Sequence, residues 1–299
     1  MNKHFKIIAL LMLAGFSTCM LFAWSKGYFG SRSMSTRQPD SGVIAHPDHI
    51  IFVWLENQDF DKIIGNPDAP YINSLVKEGT LFTNSHANTH PSYPNYLDFF
   101  AGDDNGVKDD ECIDHSILNT PNLYTILKTA GKTFAWYSED LPKTGSKVCE
   151  FEDYVAKHNP TSIFKNVPGN INKRFKDFPS DYNLLENVVN ISPNQINDMH
   201  SAPVKQGDKW VKKHLDSLAR WCITHNSIFV IYFDECGTTP DNRIPVIAVG
   251  QHVKVNYQQN ELYDHFSWAK TVCSMFSAPD NWTDNISNAQ VITGCWDNK

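Results

Sequence analysis

The chain is 299 residues long and carries 26 Lys and Arg against 33 Asp and Glu, a net charge of -7 at pH 7 with histidine neutral. A negative balance without any Lys/Arg block argues against nucleic acid as a partner. The length is enough for one large domain with a well-buried core.

The chain opens MNKHFKIIALLMLAGFSTCMLFAW, in which Lys3 and Lys6 precede an apolar run from Ile7 to Trp24. This is the pattern of a secretory leader over 1–24; an uncleaved anchor is the alternative, the run being near the lower limit for spanning a bilayer. The expectation is a secreted or periplasmic protein with no stable membrane span once the leader is removed. Residues 25–48 read as a linker and 49–299 as a single domain. Loss of the leader removes Cys19 and leaves Cys112, Cys149, Cys222, Cys236, Cys273 and Cys295. An even number after export suggests up to three disulfides. Closeness along the chain favours Cys112–Cys149 and Cys273–Cys295, and no C-x-x-C pair points to zinc. Asn190-Ile-Ser192 is among three segments that fit the glycosylation sequon.

From residue 49 the domain begins with HIIFVWLEN, an apolar run ending in polar residues, predicted as a buried strand. A helix over 70–78 closes at Gly79, and TLFTNSH follows as a short strand. In SYPNYLDFFAG, Pro94 suits the first turn of a helix that Gly102 stops, which puts Ser92 at or just before the N-cap. A helix over 120–130 has Thr120 as N-cap and Pro121 at its first position, and KTFAWYS reads as a strand. The Asn-, Pro-, Lys- and Asp-rich region 140–195 reads as a long surface excursion. An amphipathic helix over 204–223 precedes SIFVIYFDEC and RIPVIAVGQHV, two more apolar strands, and a helix over 263–276 ends the pattern. Alternating helices and near-continuous apolar strands predict an α/β fold with a mostly parallel central sheet covered on both faces.

In such a sheet ligands sit beyond the carboxyl ends of the strands. Glu56-Asn57, Asp234-Glu235 and Ser92 all fall at that edge. Hard oxygen ligands from separate strand ends are how a divalent cation is held, and Ca, Mg, Mn and Zn are all compatible with them. Each cluster alone could be a solvated strand end, Asn57 could be an Asx-turn, and Ser92 only a helix cap. Alternatively, Ser92 is a nucleophile whose alkoxide, with the phosphate it attacks, is stabilised by the amides of the helix start. His90, His158, His200 and His265 lie in loops or at element ends, and a dianionic phosphate needs such donors. A protonated imidazole could serve the leaving group. Asp198 and Asp264 could orient imidazoles or merely cap turns.

Seven segments, HIIFVWLENQDFD, THPSYPNYLDFFAG, YVAKHNP, NDMHSAPVKQGDKW, YFDECG, IPVIAVG and DHFSW, occur in the order in which the phosphoesterase family carries them. The chain resembles that family of bacterial acid phosphatases and phospholipases C, within the alkaline-phosphatase-like superfamily, from about residue 49 to 276. The resemblance implies an alkaline-phosphatase-like fold, Ser92 as nucleophile, and a metal surrounded by Glu56, Asn57, Ser92, Asp234 and Glu235. It also implies phosphoryl contacts from His90, His158, His200 and His265. Where the family often has two or three glycines after its acidic pair, this chain has Cys236-Gly237-Thr238, and a disulfide at Cys236 would stiffen that loop.

These readings converge on a metal-assisted phosphoric ester hydrolase working through a phosphoserine. His158 and His265 are then catalytic, and Asn57, His90 and His200 hold substrate. The substrate is a small phosphomonoester, as for an acid phosphatase, or a phospholipid headgroup, as for a phospholipase C. A non-catalytic binder on a phosphatase scaffold is the alternative class.

Overall fold

The structure is a computed structural model that describes residues 42–297 except 114, 115 and 238. The leader and most of the linker lie outside the described residues. In chain order the elements are β1 (His49–Leu55), α1 (Phe60–Ile63), α2 (Pro70–Glu78), β2 (Thr80–His86), α3 (Ser92–Ala101), α4 (Leu123–Thr129), β3 (Phe134–Ser138), β4 (Glu150–Phe151) and β5 (Tyr154–Val155). Then come β6 (Asn172–Arg174), β7 (Val188–Ser192), α5 (Val204–Thr224), β8 (Ser227–Phe233), β9 (Arg243–Gly250), β10 (Tyr257–Gln259), α6 (His265–Met275) and α7 (Asp284–Asn288).

Eight strands form one sheet in the order β10-β2-β9-β8-β1-β7-β3-β6, and β4 pairs with β5 in a small separate hairpin. The runs without polar interruption lie at its centre: every residue of β8, and every residue of β1 after His49, is buried. Successive side chains of a strand point to opposite faces. Phe52 and Trp54 of β1 accordingly share one face, where they meet Phe99 of α3; Trp268 of α6 packs on Phe52 and Tyr96 of α3 stacks on Trp54. Helices α2 and α5 pack against each other, α5 on β8 and β9 and α2 on β9. They are tied where Asp208 of α5 accepts the first amides of α2, from Tyr71 at 3.2 Å and Ile72 at 2.9 Å.

The pairing is parallel throughout the sheet except around β9, which runs antiparallel to both β2 and β8. The segment between Phe233 and Arg243 is too short for a crossover, so the chain must turn back.

Two expectations about the excursion change. Residues 140–195 contain β6 and β7, and β7 lies at the middle of the sheet, parallel to both β1 and β3. Its apolar pattern is broken by Asn190, which is fully buried because its Oδ1 accepts from Trp54 Nε1 at 2.9 Å. The sequon at Asn190 is therefore inside the core. Helix α4 starts later than expected: Asn122, not Thr120, caps it, in a reciprocal capping box with Thr125.

Cys112 and Cys149 form the expected disulfide. The pair expected between Cys273 and Cys295 does not form, although both are buried. Cys273 points into the core from α6 and Cys295 sits in the C-terminal segment that bridges to Val253, so nearness in sequence does not align their side chains. Cys236 is also not bridged; its thiol donates to the carbonyl of Thr239 at 3.1 Å.

Candidate active site

The carboxyl ends of β1 and β8 lie side by side, Leu55 opposite Phe233, so the residues that follow them, Glu56 and Asp234, emerge together. Between β2 and α3, Asn95 shapes the turn. Its Oδ1 accepts from the amides of Asn88 and Thr89 at 3.1 Å, and its Nδ2 donates back to the carbonyls of Thr89 and Pro91. Asn242, at the start of β9, donates to Thr89 O at 2.7 Å and accepts from Cys236 N at 2.9 Å. The turn and the acidic loop are thus fastened together.

Ser92 is the first residue of α3, with Pro91 in the cap position and no side-chain cap. Its hydroxyl is therefore not spent on its own helix. It reaches two carboxylates, Glu56 Oε2 at 3.2 Å and Glu235 Oε1 at 3.0 Å. Asn57, at φ 48°, donates its amide to Asp234 Oδ1 at 3.2 Å. The close passage of that backbone is why Gly237 follows the acidic pair: a Cβ there would lie 2.9 Å from the carbonyl oxygen of Asn57. Glu56, Asn57, Ser92, Asp234 and Glu235 are accordingly one cluster.

The imidazoles separate into three kinds. His158 is buried; its Nε2 lies 3.2 Å from Glu56 Oε2 and its Nδ1 3.3 Å from Asp198 Oδ2. His90 is half exposed and bonds Glu235 Oε2 through Nδ1. His200 is exposed, 6.0 Å from His158 ring to ring, and gives its backbone amide to Asp198 Oδ1 at 2.8 Å. His265 differs from all of these. It is fully buried, with Nε2 on the carbonyl of Asp234 at 2.7 Å and Nδ1 on the Tyr232 hydroxyl at 2.7 Å. Both nitrogens are engaged within the protein, so its place is behind the Asp234 backbone and not on the open side of the cluster. Asp264 only caps α6, accepting from Ser267 N at 2.8 Å.

Burial in company of like charges governs the electrostatics. Burial, then the charges of Asp234 and Asp198, pushes the Glu56 carboxyl well above its ordinary range. Burial and the neighbouring Glu235 raise Asp234 to about 7, and burial raises Glu235 to about 7. Burial also raises Asp198. The same cause lowers His158, with Lys157 and His200 adding to it, and lowers His265 to about 4.

Asn57 Oδ1 and Asp234 Oδ2 are buried without a hydrogen-bond partner, and His158 Nε2 and Asp198 Oδ2 have charge contacts but no hydrogen-bond geometry. Native structures rarely leave such atoms unpaired. Ligand atoms of Glu56, His158 and Asp198 lie within 4.8 Å of one another. Crowded carboxylates with unpaired lone pairs are what a divalent cation relieves, so the residues present fit one.

Some participants escaped the sequence reading. Tyr96, whose hydroxyl donates to Glu56 Oε1, lies one helical turn beyond Ser92, a spacing that could have revealed it. Asp198, read from the sequence as orienting an imidazole or capping a turn, lies in the cluster itself, with Oδ2 3.3 Å from His158 Nδ1. Lys157, beside His158, donates to Asp110 Oδ2 at 2.6 Å. Burial pulls the Lys157 ammonium down, but the bond to Asp110 and the charges of Asp110, Glu56 and Asp234 together outweigh it, and the net shift is upward. Tyr93, the residue after Ser92, is fully buried.

Comparison with known proteins agrees with this geometry. A phosphatidylinositol-3-phosphatase of Mycobacterium tuberculosis is 39% identical over 251 residues, spanning 83% of this chain and 82% of that protein. A probable acid phosphatase of Kluyveromyces lactis is 31% identical over 268 residues; the match takes in 81% of this chain but 63% of the yeast protein, under two thirds of its length. Among solved structures, a protein in the alkaline phosphatase superfamily from Vibrio parahaemolyticus superposes with a TM-score of 0.57 at 12% identity, over 79% of this chain and 68% of that one, a likeness of fold. The phosphoesterase family model matches residues 66–279. By sequence and by fold, the chain belongs to the phosphoesterase family, as a hydrolase acting on phosphoric ester bonds.

Proposed function

We propose that the chain is a secreted or periplasmic, cation-dependent phosphatase that works through a phosphorylated Ser92. The observation that carries the mechanism is the Ser92 hydroxyl, held between Glu56 and Glu235 instead of capping its own helix. Glu56, Asn57, Asp234, His158 and Asp198 would hold a divalent cation, whose positive charge would favour an alkoxide and the binding of a phosphoryl oxygen.

The chain's own residues do the rest. Ser92 gives its proton to one of its two carboxylate partners and attacks phosphorus in line. The bond to the leaving alcohol breaks, and that oxygen takes a proton from His90, the half-exposed imidazole bonded to Glu235. Water then hydrolyses the phosphoseryl ester: the proton it loses restores His90, and the proton held by the carboxylate returns to the Ser92 oxygen as that bond breaks. His265 is a positioning residue that fixes the Asp234 backbone. The names of the relatives favour a phosphomonoester, including one on an inositol lipid.

Cleavage of a phospholipid headgroup is the second reading. It would need an apolar groove, for which the candidate is a cavity of about 740 Å³ lined by Leu141, Phe151, Phe175 and Phe178 together with Glu139, Asp140 and Glu152, none of them a residue of the Ser92 cluster. Ser92→Ala is expected to abolish hydrolysis of an aryl phosphate, by a thousandfold or more on the order set by other nucleophile deletions, with thermal melting and cation content retained. Activity near wild type in that variant rules the nucleophile out. Phosphatidylinositol 3-phosphate and phosphatidylcholine, assayed in parallel with and without chelator, separate monoester from headgroup cleavage. Failure of all three substrates supports a binder.

A further inference from the structure

One ion pair beside the nucleophile is arranged as though an anion were already bound there. The Asp110 carboxylate bridges two donors: Oδ1 accepts from the backbone amide of Tyr93, the residue after Ser92, at 3.0 Å, and Oδ2 accepts from Lys157 Nζ at 2.6 Å. The Tyr93 amide belongs to the first turn of α3, where an N–H has no partner within the helix. The Lys157 side chain is only 15% exposed, and it precedes His158, whose buried Nε2 lies 3.2 Å from the Glu56 oxygen that accepts from Ser92. The approach is fixed covalently as well. Cys112, two residues after Asp110, is bonded to Cys149, and the carbonyl of Cys149 accepts from the Ala156 amide, next to Lys157.

A carboxylate and a phosphoryl group each offer two oxygens at similar spacing to a pair of donors, so one can replace the other. We propose that Lys157 and the Tyr93 amide form the phosphoryl-binding cradle, and that Asp110 fills it in the resting chain and yields it to the phosphoryl group of the substrate. Lys157 is then a catalytic residue, because its ammonium and the amide hold charge that spreads over the transferring group. Asp110 is an internal competitor that keeps the ammonium oriented between turnovers. The assignment rests on the phosphatase reading of Ser92.

The experiment compares Lys157→Met, Lys157→Arg and Asp110→Asn with wild type in the cation-loaded protein, using inorganic phosphate as the probe. Phosphate binding is measured by calorimetry and as inhibition of aryl phosphate hydrolysis. Lys157→Met should weaken phosphate roughly tenfold to hundredfold, the range for a lost hydrogen bond to a charged group, and Lys157→Arg should restore much of that. Asp110→Asn should move the other way and bind phosphate several-fold more tightly, because the competing charge is gone. A purely structural ion pair predicts instead that Lys157→Met and Asp110→Asn lower the melting temperature together and leave phosphate affinity unchanged or weakened alike; either result overturns the proposal. Asp110→Asn decides the matter even where Lys157→Met does not fold. Ser92→Ala keeps the two readings apart. Its loss of hydrolysis alongside unaltered phosphate binding in Lys157→Met removes the cradle and leaves the nucleophile standing. Retained hydrolysis in Ser92→Ala with weakened phosphate in Lys157→Met does the reverse.

Discussion

The site is assembled from two regions held in different ways. Glu56, Ser92, Asp234 and Glu235 sit on strand ends and a helix start, and their backbones are fixed by the sheet: Asp234 N donates to Leu55 O at 3.2 Å. Lys157 and His158 sit on turns of the excursion and Asp198 on the loop that extends it; one backbone bond, from Glu56 N to Asp198 O at 2.8 Å, ties that loop to the end of β1, and side chains hold much of the rest. Glu139, just past β3, accepts from Asn194 N and Asn197 Nδ2 at 3.0 Å each and from Trp210 Nε1 at 2.9 Å, and so fastens the Asp198 loop to α5. Gly207 of α5 lets that loop come close, since a Cβ there would be 2.5 Å from Met199. The rigid region carries the nucleophile and most of the charge. The excursion closes over it with groups that a local change can move.

If that division is correct, damage to the sheet-borne region costs most. Glu56→Gln removes the carboxylate shared by Ser92, Tyr96 and His158, and should lower turnover on the order of a thousandfold, with cation content falling in parallel when measured by elemental analysis. Asp198→Asn, in the excursion, should cost roughly tenfold to hundredfold, with much of the rate recovered at high cation concentration. An equal loss in both variants would erase the distinction. Gly237→Ala tests the crossing of the acidic loop over Asn57, and overpacking there should cost about 1–3 kcal/mol of stability, read from denaturant melts. An unchanged midpoint would mean that the loop can shift freely.

The smallest effect concerns pH. In chelated protein Asp234 and Glu235 titrate near 7 when folded, against roughly 4 when unfolded. Between those values the folded chain holds more protons, so their contribution is present below about pH 4 and is lost as pH rises to about 7. His265, depressed to about 4, acts in the opposite sense, losing stability as pH falls from about 6.5. Glu56 and Asp198 share the direction of the carboxyl pair, which should prevail. The melting temperature of chelated protein should therefore be a few degrees lower at pH 7 than at pH 5, by order of magnitude, and a divalent cation should abolish the difference. A melting temperature that climbs with pH in the chelated sample would contradict the crowding of unpaired carboxylates.

The same two regions differ in how far they were legible in the sequence. Strands β1 and β8 and helix α2 announce themselves by unbroken apolar runs or by a closing glycine, so the residues at their ends could be named in advance. Strand β7 could not, because the Asn190 that interrupts its pattern is made tolerable only by Trp54, far away in sequence. With β7 unseen, Asp198, six residues beyond its end, could be read as an orienter of an imidazole or a cap, but not as a neighbour of Glu56. Ser92 read as a cap candidate because serine favours that position; the structure moves it one residue into the helix, where the hydroxyl is released for other partners. His265 sits beside a capping Asp264, as expected, but which way its ring faces depends on Tyr232 and on a backbone carbonyl, neither of which spacing reveals. The short return from β8 to β9 dictated the reversed strand, a constraint visible in loop length alone.

The burial of Asn190 bears on how the protein can be produced. A host that attaches sugar to Asn-Ile-Ser during translocation would act on the chain before β7 has entered the sheet, and a glycan there cannot be accommodated between β1 and β3. Modified molecules would be trapped without a finished core, whereas production in cells lacking that machinery would spare them. Comparing soluble yield with and without an inhibitor of glycan transfer would expose the penalty directly.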